Sequence, residues 1–360
     1  MLWIVFLLSI ATAFLVTQLS IVLSHRRGVL DVPNVRSSHS QPVPRLGGVG
    51  ILVAVLISSA VLAAMKSAAL IDYSVLTRDV LVMLAAGIGM AATGLYDDFH
   101  GLRPATKFLM QFLLAGLILL AGFRIERVSL LDWGPFSLGI LAIPVTILWL
   151  TGFANIFNFM DGINGISGVT AAAYFAFFAI LAWRQGSPGL AAVAVVFVGS
   201  CLGFIPHNFP IARTFMGDTG SLMLGIALAF YVVRLSQLAA NPATLVALIL
   251  ICSVYLWDSG FTLLRRLRRG ENIFQAHRSH LYQRLVQSGR SHARITILYL
   301  ILHMLMGGLA LAYVGAGNML RAGILGLAAL ALTVFTATVY RFEGRAAKMA
   351  PGAGTTGTRN

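Results

Sequence analysis

The sequence predicts an all-α polytopic integral membrane protein, on three observations. Of its 360 residues, 58% are hydrophobic and only 11% are charged, with a mean hydropathy of +0.86. These values lie outside the range of an ordinary soluble domain. Eleven apolar runs recur along the chain, each near the roughly 20 residues that cross a bilayer as a helix. The basic residues are also distributed unevenly among the loops between those runs.

The runs lie at about 2–24, 46–65, 79–96, 105–122, 138–154, 165–183, 189–206, 217–234, 242–264, 295–315 and 322–340. The first lacks the basic leader of a signal peptide and its apolar stretch is too long for one, so it is read as a span. Arg124 to Gly139 (RIERVSLLDWGPFSLG) is too polar to cross. Its alternation and Trp-Gly-Pro turn predict a small hairpin on the periplasmic side. There is no internal repeat. One transmembrane domain is expected over 1–344, followed by a Gly/Thr-rich, disordered cytoplasmic tail over 345–360. Cys201 and Cys252 sit in apolar runs and resemble neither a disulfide framework nor a metal knuckle.

The loops after the odd-numbered runs hold 19 of the 26 Lys and Arg. The other side holds seven: Lys66, Arg78, Arg124, Arg127, Arg184, Arg234 and Arg321. The positive-inside rule puts the richer set in the cytoplasm, with the amino terminus outside and the carboxyl terminus inside. The net charge of +14 is then topology and contact with anionic lipid or phosphate. No aromatic-basic interleaving supports nucleic acid as a partner.

The functional signal lies in the acids, of which there are only 12. Asp97 and Asp98 end the third run in GLYDDFHGLRP. Asp161 follows Asn155 and Asn158 at three-residue spacing in NIFNFMDGINGISG, and Asp218 opens the eighth run in FMGDTGS. All four fall at cytoplasmic ends. Taken singly, each has a plain alternative: a solvated helix end for the pair, a polar loop for NIFNFMDG, an N-cap for Asp218. Together on one face they point to a site, because adjacent carboxylates repel unless a cation or proton separates them. Carboxylate and amide oxygens suit Mg²⁺, which keeps waters and bridges substrate phosphates.

Basic groups join them on the same side. DVPNVRSSHSQPVPRLGG offers Arg36, His39 and Arg45 on a proline-stiffened, extended loop. HNFPIARTFMGD offers Asn208, Arg213 and Phe215, and the last cytoplasmic loop carries His277, Arg278 and His280. Arginine and histidine beside a Mg²⁺ site suggest phosphate; contact with anionic lipid is the alternative. Asp258, inside the ninth run, is a site candidate by default, with pairing to Arg265 or Arg266 as the structural alternative.

As a set and in this order, DVPNVRSSHSQPVPRLGG, GLYDDFHGLRPATK, NIFNFMDGINGISG, NFPIARTFMGDTGS and AHRSHLYQRL resemble the polyprenyl-phosphate N-acetylhexosamine-1-phosphate transferases of the MraY and WecA type. The PRxGG-type loop and RSSH stretch lean to the WecA-like, lipopolysaccharide-initiating side. The resemblance implies transfer of a sugar-1-phosphate from a UDP-N-acetylhexosamine to undecaprenyl phosphate, releasing UMP and starting O-antigen or another surface polysaccharide. The cofactor it implies is Mg²⁺, with Mn²⁺ as a substitute, and a homodimer is left open. It assigns Asp97, Asp98 and Asp161 to the reaction centre and Asp218 and Asn158 to the metal. It matches Asn164, Asn208, Phe215, His277 and His280 to substrate positions, and Arg45, His39 and Arg278 are substrate candidates by their charge and place. Asn164 stands where the MraY branch has Asp, and Ser279 replaces the inner His of a His-x-His-His motif. The competing readings are the peptidoglycan-branch transferase, a secondary transporter of an anionic solute, and a silent membrane scaffold. A transporter would need polar groups near the midplane rather than acids confined to one face.

Overall fold

In the computed structural model every one of the eleven apolar runs is a helix. The structure describes residues 1–33, 41–129, 134–241, 243–272, 275 and 277–349. The chain begins with α1 (Leu2–Arg27), ended by Gly28 in the left-handed conformation. A short antiparallel ribbon follows, β1 (Leu30–Asp31) pairing with β2 (Val43–Pro44). Then come α2 (Gly48–Ser67), α3 (Arg78–His100) and α4 (Pro104–Leu120). The expected hairpin is present as β3 (Arg127–Val128) against β4 (Phe136–Ser137). It leads into α5 (Ala142–Met160), α6 (Ile166–Arg184), α7 (Pro188–Asn208), α8 (Gly217–Leu238) and α9 (Thr244–Arg268). A short α10 (Leu281–Gln287), too short and polar to stand out as an apolar run, precedes α11 (His292–Gly315) and α12 (Asn318–Met349).

Ten of these helices are long and apolar enough to cross a membrane. The eleventh, α4, has 17 residues and spans about 26 Å, slightly less than the hydrocarbon core of about 30 Å. The α12 helix has 32 residues, about 48 Å, so it runs well past the core. It continues to Met349, five residues into the stretch expected as a disordered tail; residues 350–360 lie outside the described set.

At the centre of the bundle is α8. Every residue from Thr219 to Val233 is buried, as a helix apolar on all sides requires. It packs on α3 and α5 so closely that a Cβ on Gly94 of α3 would stand 2.2 Å from the carbonyl oxygen of Asp218. The peripheral helices show the opposite pattern. Leu109, Leu113, Leu117 and Leu120 of α4 and Ile301 and Met304 of α11 are exposed apolar side chains facing outward, the surface that lipid tails cover.

Candidate active site where α3, α4, α5 and α8 end

The ends of four helices meet at one face of the bundle. Asp97 and Asp98 close α3, Lys107 opens α4, Asn158 and Asp161 close α5, and Asp218 opens α8. Lys107 is not among the residues marked by the sequence pattern, yet it organises the cluster. Its ammonium lies 2.7 Å from Asp97 Oδ2 and also contacts Asp218 Oδ2. A cation therefore sits between the two carboxylates, which answers the repulsion that the acid set implied. A lysine in the first turn of an apolar helix, just after a pair of aspartates, was the available signal.

Asp98 does something else. Its carboxylate accepts from the backbone N–H of Asp218 (3.1 Å) and of Thr219 (3.0 Å), and from Thr219 Oγ1 (2.8 Å). These N–H groups belong to the first turn of α8, which has no partner for them within the helix. Asp98 is thus an N-cap supplied from another helix, and it also complements the positive end of the α8 dipole. Gly217 makes this possible: its φ is +68°, and a Cβ there would stand 2.2 Å from Arg45 O and 2.7 Å from Asp98 Oδ2. Arg45 closes the same corner. Its Nε donates to Asp98 O (2.9 Å) and lies 3.7 Å from Asp98 Oδ1, while Nη2 donates to Asp97 O (3.2 Å).

Of the three polar residues at three-residue spacing on α5, the structure brings two to this cluster. Asn158 Nδ2 donates to Asp218 Oδ1 (2.9 Å) and to Ser221 Oγ (2.8 Å). Asn155 instead pairs reciprocally with Gln111 of α4, at 2.6 and 3.1 Å, and joins two helices. Asp161 follows the end of α5. Burial, reinforced by the negative charges of Asp218 and Asp98, pushes its carboxyl up to about 7. Among the described residues it is the one acid of the four without an ion pair to Lys or Arg.

A second group of expected residues lies at the α7–α8 connection. Asn208 is 5% exposed, and its amide accepts from Gly165 N (2.6 Å) and donates to Thr214 O (2.8 Å). It ties two loops together, and both ends of the amide are occupied. Asn164 donates to Pro210 O at 3.1 Å. The half-buried Phe215 joins the ribbon to α8, with its N–H on Pro44 O (2.7 Å) and its carbonyl on Gly47 N (3.0 Å). His39 lies outside the described residues.

The histidine pair forms the third group. The rings of His277 and His280 are 5.1 Å apart. His277 Nδ1 lies 2.9 Å from Ser279 Oγ, and the carbonyl of Arg278 accepts from Gln287 (2.8 Å). Asp258 is held here, not by Arg265 or Arg266 as the alternative had it. Its fully buried carboxylate meets His280 Nδ1 (3.2 Å), Leu281 N (2.8 Å), Tyr282 N (3.2 Å), Tyr299 Oη (2.5 Å) and Thr262 Oγ1 (3.3 Å). Arg266 pairs with Glu271 and Arg265 donates to Ser279 O. Asp258 therefore caps α10 from α9, as Asp98 caps α8 from α3. The Tyr282 hydroxyl then donates to Phe159 O at 3.1 Å, and a Cβ on Gly162 would stand 2.0 Å from it. That contact sets α10, with His280 at its N-cap, against the turn that holds Asp161.

The residues fit an oxygen-seeking cation. Among the described residues no three His, Cys, Asp or Glu side chains converge as a metal cage. Mg²⁺ does not need one, since it binds through one or two carboxylates and completes its shell with water and phosphate oxygens. Asp218 and Asp97 supply carboxylate oxygens of that kind, Asn158 lies on Asp218 through its amide nitrogen, and the Lys107 ammonium marks where positive charge is accommodated.

Fold and site together define a polytopic membrane protein with an acid-and-lysine cluster at one end of its bundle. The sequence profile described as glycosyl transferase family 4 matches residues 80–236, the segment that carries Asp97, Asp98, Lys107, Asn158, Asp161 and Asp218. The chain is 31% identical over 316 residues to the decaprenyl-phosphate N-acetylglucosaminephosphotransferase of Mycobacterium leprae, covering 79% of this chain and 77% of that one. It is 29% identical over 299 residues to the probable undecaprenyl-phosphate N-acetylglucosaminyl 1-phosphate transferase of Bacillus subtilis, covering 82% and 80%. To the phospho-N-acetylmuramoyl-pentapeptide-transferase of Halalkalibacterium halodurans it is 30% identical over 289 residues, covering 74% and 82%. The chain belongs to glycosyl transferase family 4.

Proposed function

We propose that this protein transfers N-acetylhexosamine-1-phosphate from a UDP-sugar to undecaprenyl phosphate in the bacterial inner membrane. It thereby forms the diphosphate-linked lipid that starts a surface polysaccharide. The observation that carries the reading is the convergence of Asp97, Lys107, Asn158 and Asp218 at the end of a lipid-exposed helical bundle. Both reactants are phosphates and one is a lipid, so the reaction needs charge cancelled where water and membrane meet. Relatives named for N-acetylglucosamine transfer favour this reading, and the similarity to a phospho-N-acetylmuramoyl-pentapeptide-transferase keeps the peptidoglycan branch as the second one. Family membership sets the transporter aside.

In this reading an oxygen of the acceptor phosphate forms a bond to the phosphorus that carries the sugar. The bond from that phosphorus to UMP breaks, and UMP leaves. The anomeric bond is untouched, so configuration is retained. Mg²⁺, held by Asp218 and Asn158, would supply charge neutralisation to the diphosphate. Lys107, freed from one carboxylate, offers a second positive group to the same phosphates. Asp98 and Arg45 hold the opening turn of α8 so that Asp218 faces the reactants. Asp161, with a carboxyl near 7, orients the acceptor or takes its remaining proton. His280, oriented by Asp258, together with His277 and Arg278, steadies the donor.

The test is UMP release and lipid product from purified protein given undecaprenyl phosphate, Mg²⁺ and a panel of UDP-N-acetylhexosamines. Turnover with UDP-N-acetylmuramoyl-pentapeptide alone would move the protein to the peptidoglycan branch. Absence of UMP with every donor would end the proposal.

A further inference from the structure

Across the bundle from the acid cluster, the other ends of α3, α4 and α8 enclose a polar hollow of about 570 Å³. Since α3 places Asp97 and Asp98 near its last residue and Arg78 at its first, about 29 Å of helix separates the two. The hollow therefore lies at the opposite membrane face. Its wall includes Arg78, Arg234, Gln237 and Phe123. Both guanidinium groups sit over the Phe123 ring, at 5.9 and 5.6 Å from its centroid. Glu126 also lines a neighbouring hollow of about 340 Å³ that adds Arg124 and Arg127.

The charge here runs against the topology. That face of the chain has only seven basic residues, and four of them line these two hollows against two carboxylates, Asp79 and Glu126. Asp79 is buried and held by Arg234 at 2.8 Å, and Glu126 is paired with Arg124 at 3.0 Å. Among the described residues neither Arg78 nor Arg127 has a carboxylate partner. Below the mouth an apolar track leads into the membrane: Leu113 and Leu117 on α4, Leu81 on α3, and Leu120, which is 89% exposed.

We infer that this hollow binds the head group of an anionic phospholipid. Arg78 and Arg234 would hold the phosphate, Gln237 would donate to its oxygens, and the acyl chains would lie along Leu120, Leu117 and Leu113. Arginine recognises phosphate through paired donors, and a track of exposed leucines suits a lipid rather than a free anion. The site is independent of the transferase reading.

The full chain would be placed in nanodiscs of phosphatidylcholine, of phosphatidylcholine with phosphatidylglycerol, and of phosphatidylcholine with added inorganic phosphate. Thermal unfolding would be followed for the natural protein, for Arg78→Gln, and for a control at the other face, Arg268→Gln. Phosphatidylglycerol should raise Tm by about 3 °C in the natural protein. The hollow variant should lose most of that rise and the control should keep most of it. The inference is overturned if the hollow variant keeps the full rise or if the two lipid compositions do not differ. An equal rise from inorganic phosphate alone would also overturn it, as the mark of a free-anion site.

Discussion

Replacing Lys107 by methionine removes the only cation found between Asp97 and Asp218 among the described residues, while keeping an unbranched side chain in the first turn of α4. At 2.7 Å from Asp97 Oδ2, one such contact has a Coulomb energy of about 6 kcal/mol at an effective dielectric of about 20. The lysine side chain is 25% exposed, so solvent screening and the desolvation of the ions return most of this. The expected net loss without divalent metal is about 2–3 kcal/mol, a fall in Tm of roughly 3–4 °C for a protein of this size. Mg²⁺ should then recover stability in Lys107→Met by more than it does in the natural protein, because it fills a position that the ammonium otherwise occupies. Thermal unfolding of both proteins in detergent, in EDTA and across a Mg²⁺ titration, reads this directly. Equal Mg²⁺ responses would refute the shared position, and an unchanged Tm in EDTA would refute the ion-pair energy. Activity should fall whatever the Mg²⁺ concentration, since the lysine's contribution to the phosphates is lost.

Asp218→Ala should abolish UMP release while leaving the protein inserted and its far-UV circular dichroism unchanged; normal turnover at limiting Mg²⁺ would exclude Asp218 from the metal. Asp258→Asn removes the charge that five donors share and loosens the cap of α10. Donor KM should rise about tenfold, with kcat less affected, and kinetics with varied UDP-sugar would show an unchanged KM if His280 is not positioned this way. The carboxyl of Asp161 is raised from the ordinary range to about 7, so folding favours its protonated form. The natural protein should therefore lose stability relative to Asp161→Asn as pH rises from about 4 to about 7, with no further change above. The gap should reach roughly 1–2 kcal/mol for this half-buried group, measured as Tm against pH in EDTA. A reporter fused after Arg345 should read cytoplasmic and one near Ser187 periplasmic; the same side for both would break the eleven-span topology.

The helical membrane class, the positions of the spans, the hairpin near residue 130 and the set of acids are all readable in the sequence. These are legible because they are local. The transfer energy of about 20 apolar residues needs no partner, and a scarcity of acids makes each one conspicuous. What each acid meets is set by how the helices pack. Asp97 and Asp218 share a lysine, and the Lys107–Asp218 contact joins residues 111 apart in the chain. Asp98, expected beside Asp97 in role as well as in sequence, turns to the first turn of α8, because neighbours on a helix point about 100° apart. Asn155 goes to Gln111 and Asn158 to Asp218 for a related reason: the three-residue spacing fixes a face only approximately, and the packed neighbour selects the partner. Asp258 met His280 rather than the arginines next to it in sequence, because α10 presents unpaired N–H groups to it and the arginines find acceptors outside the membrane. Spacing along the chain names the candidates, but a buried carboxylate is satisfied by whichever donors the close packing of helices brings within about 3 Å.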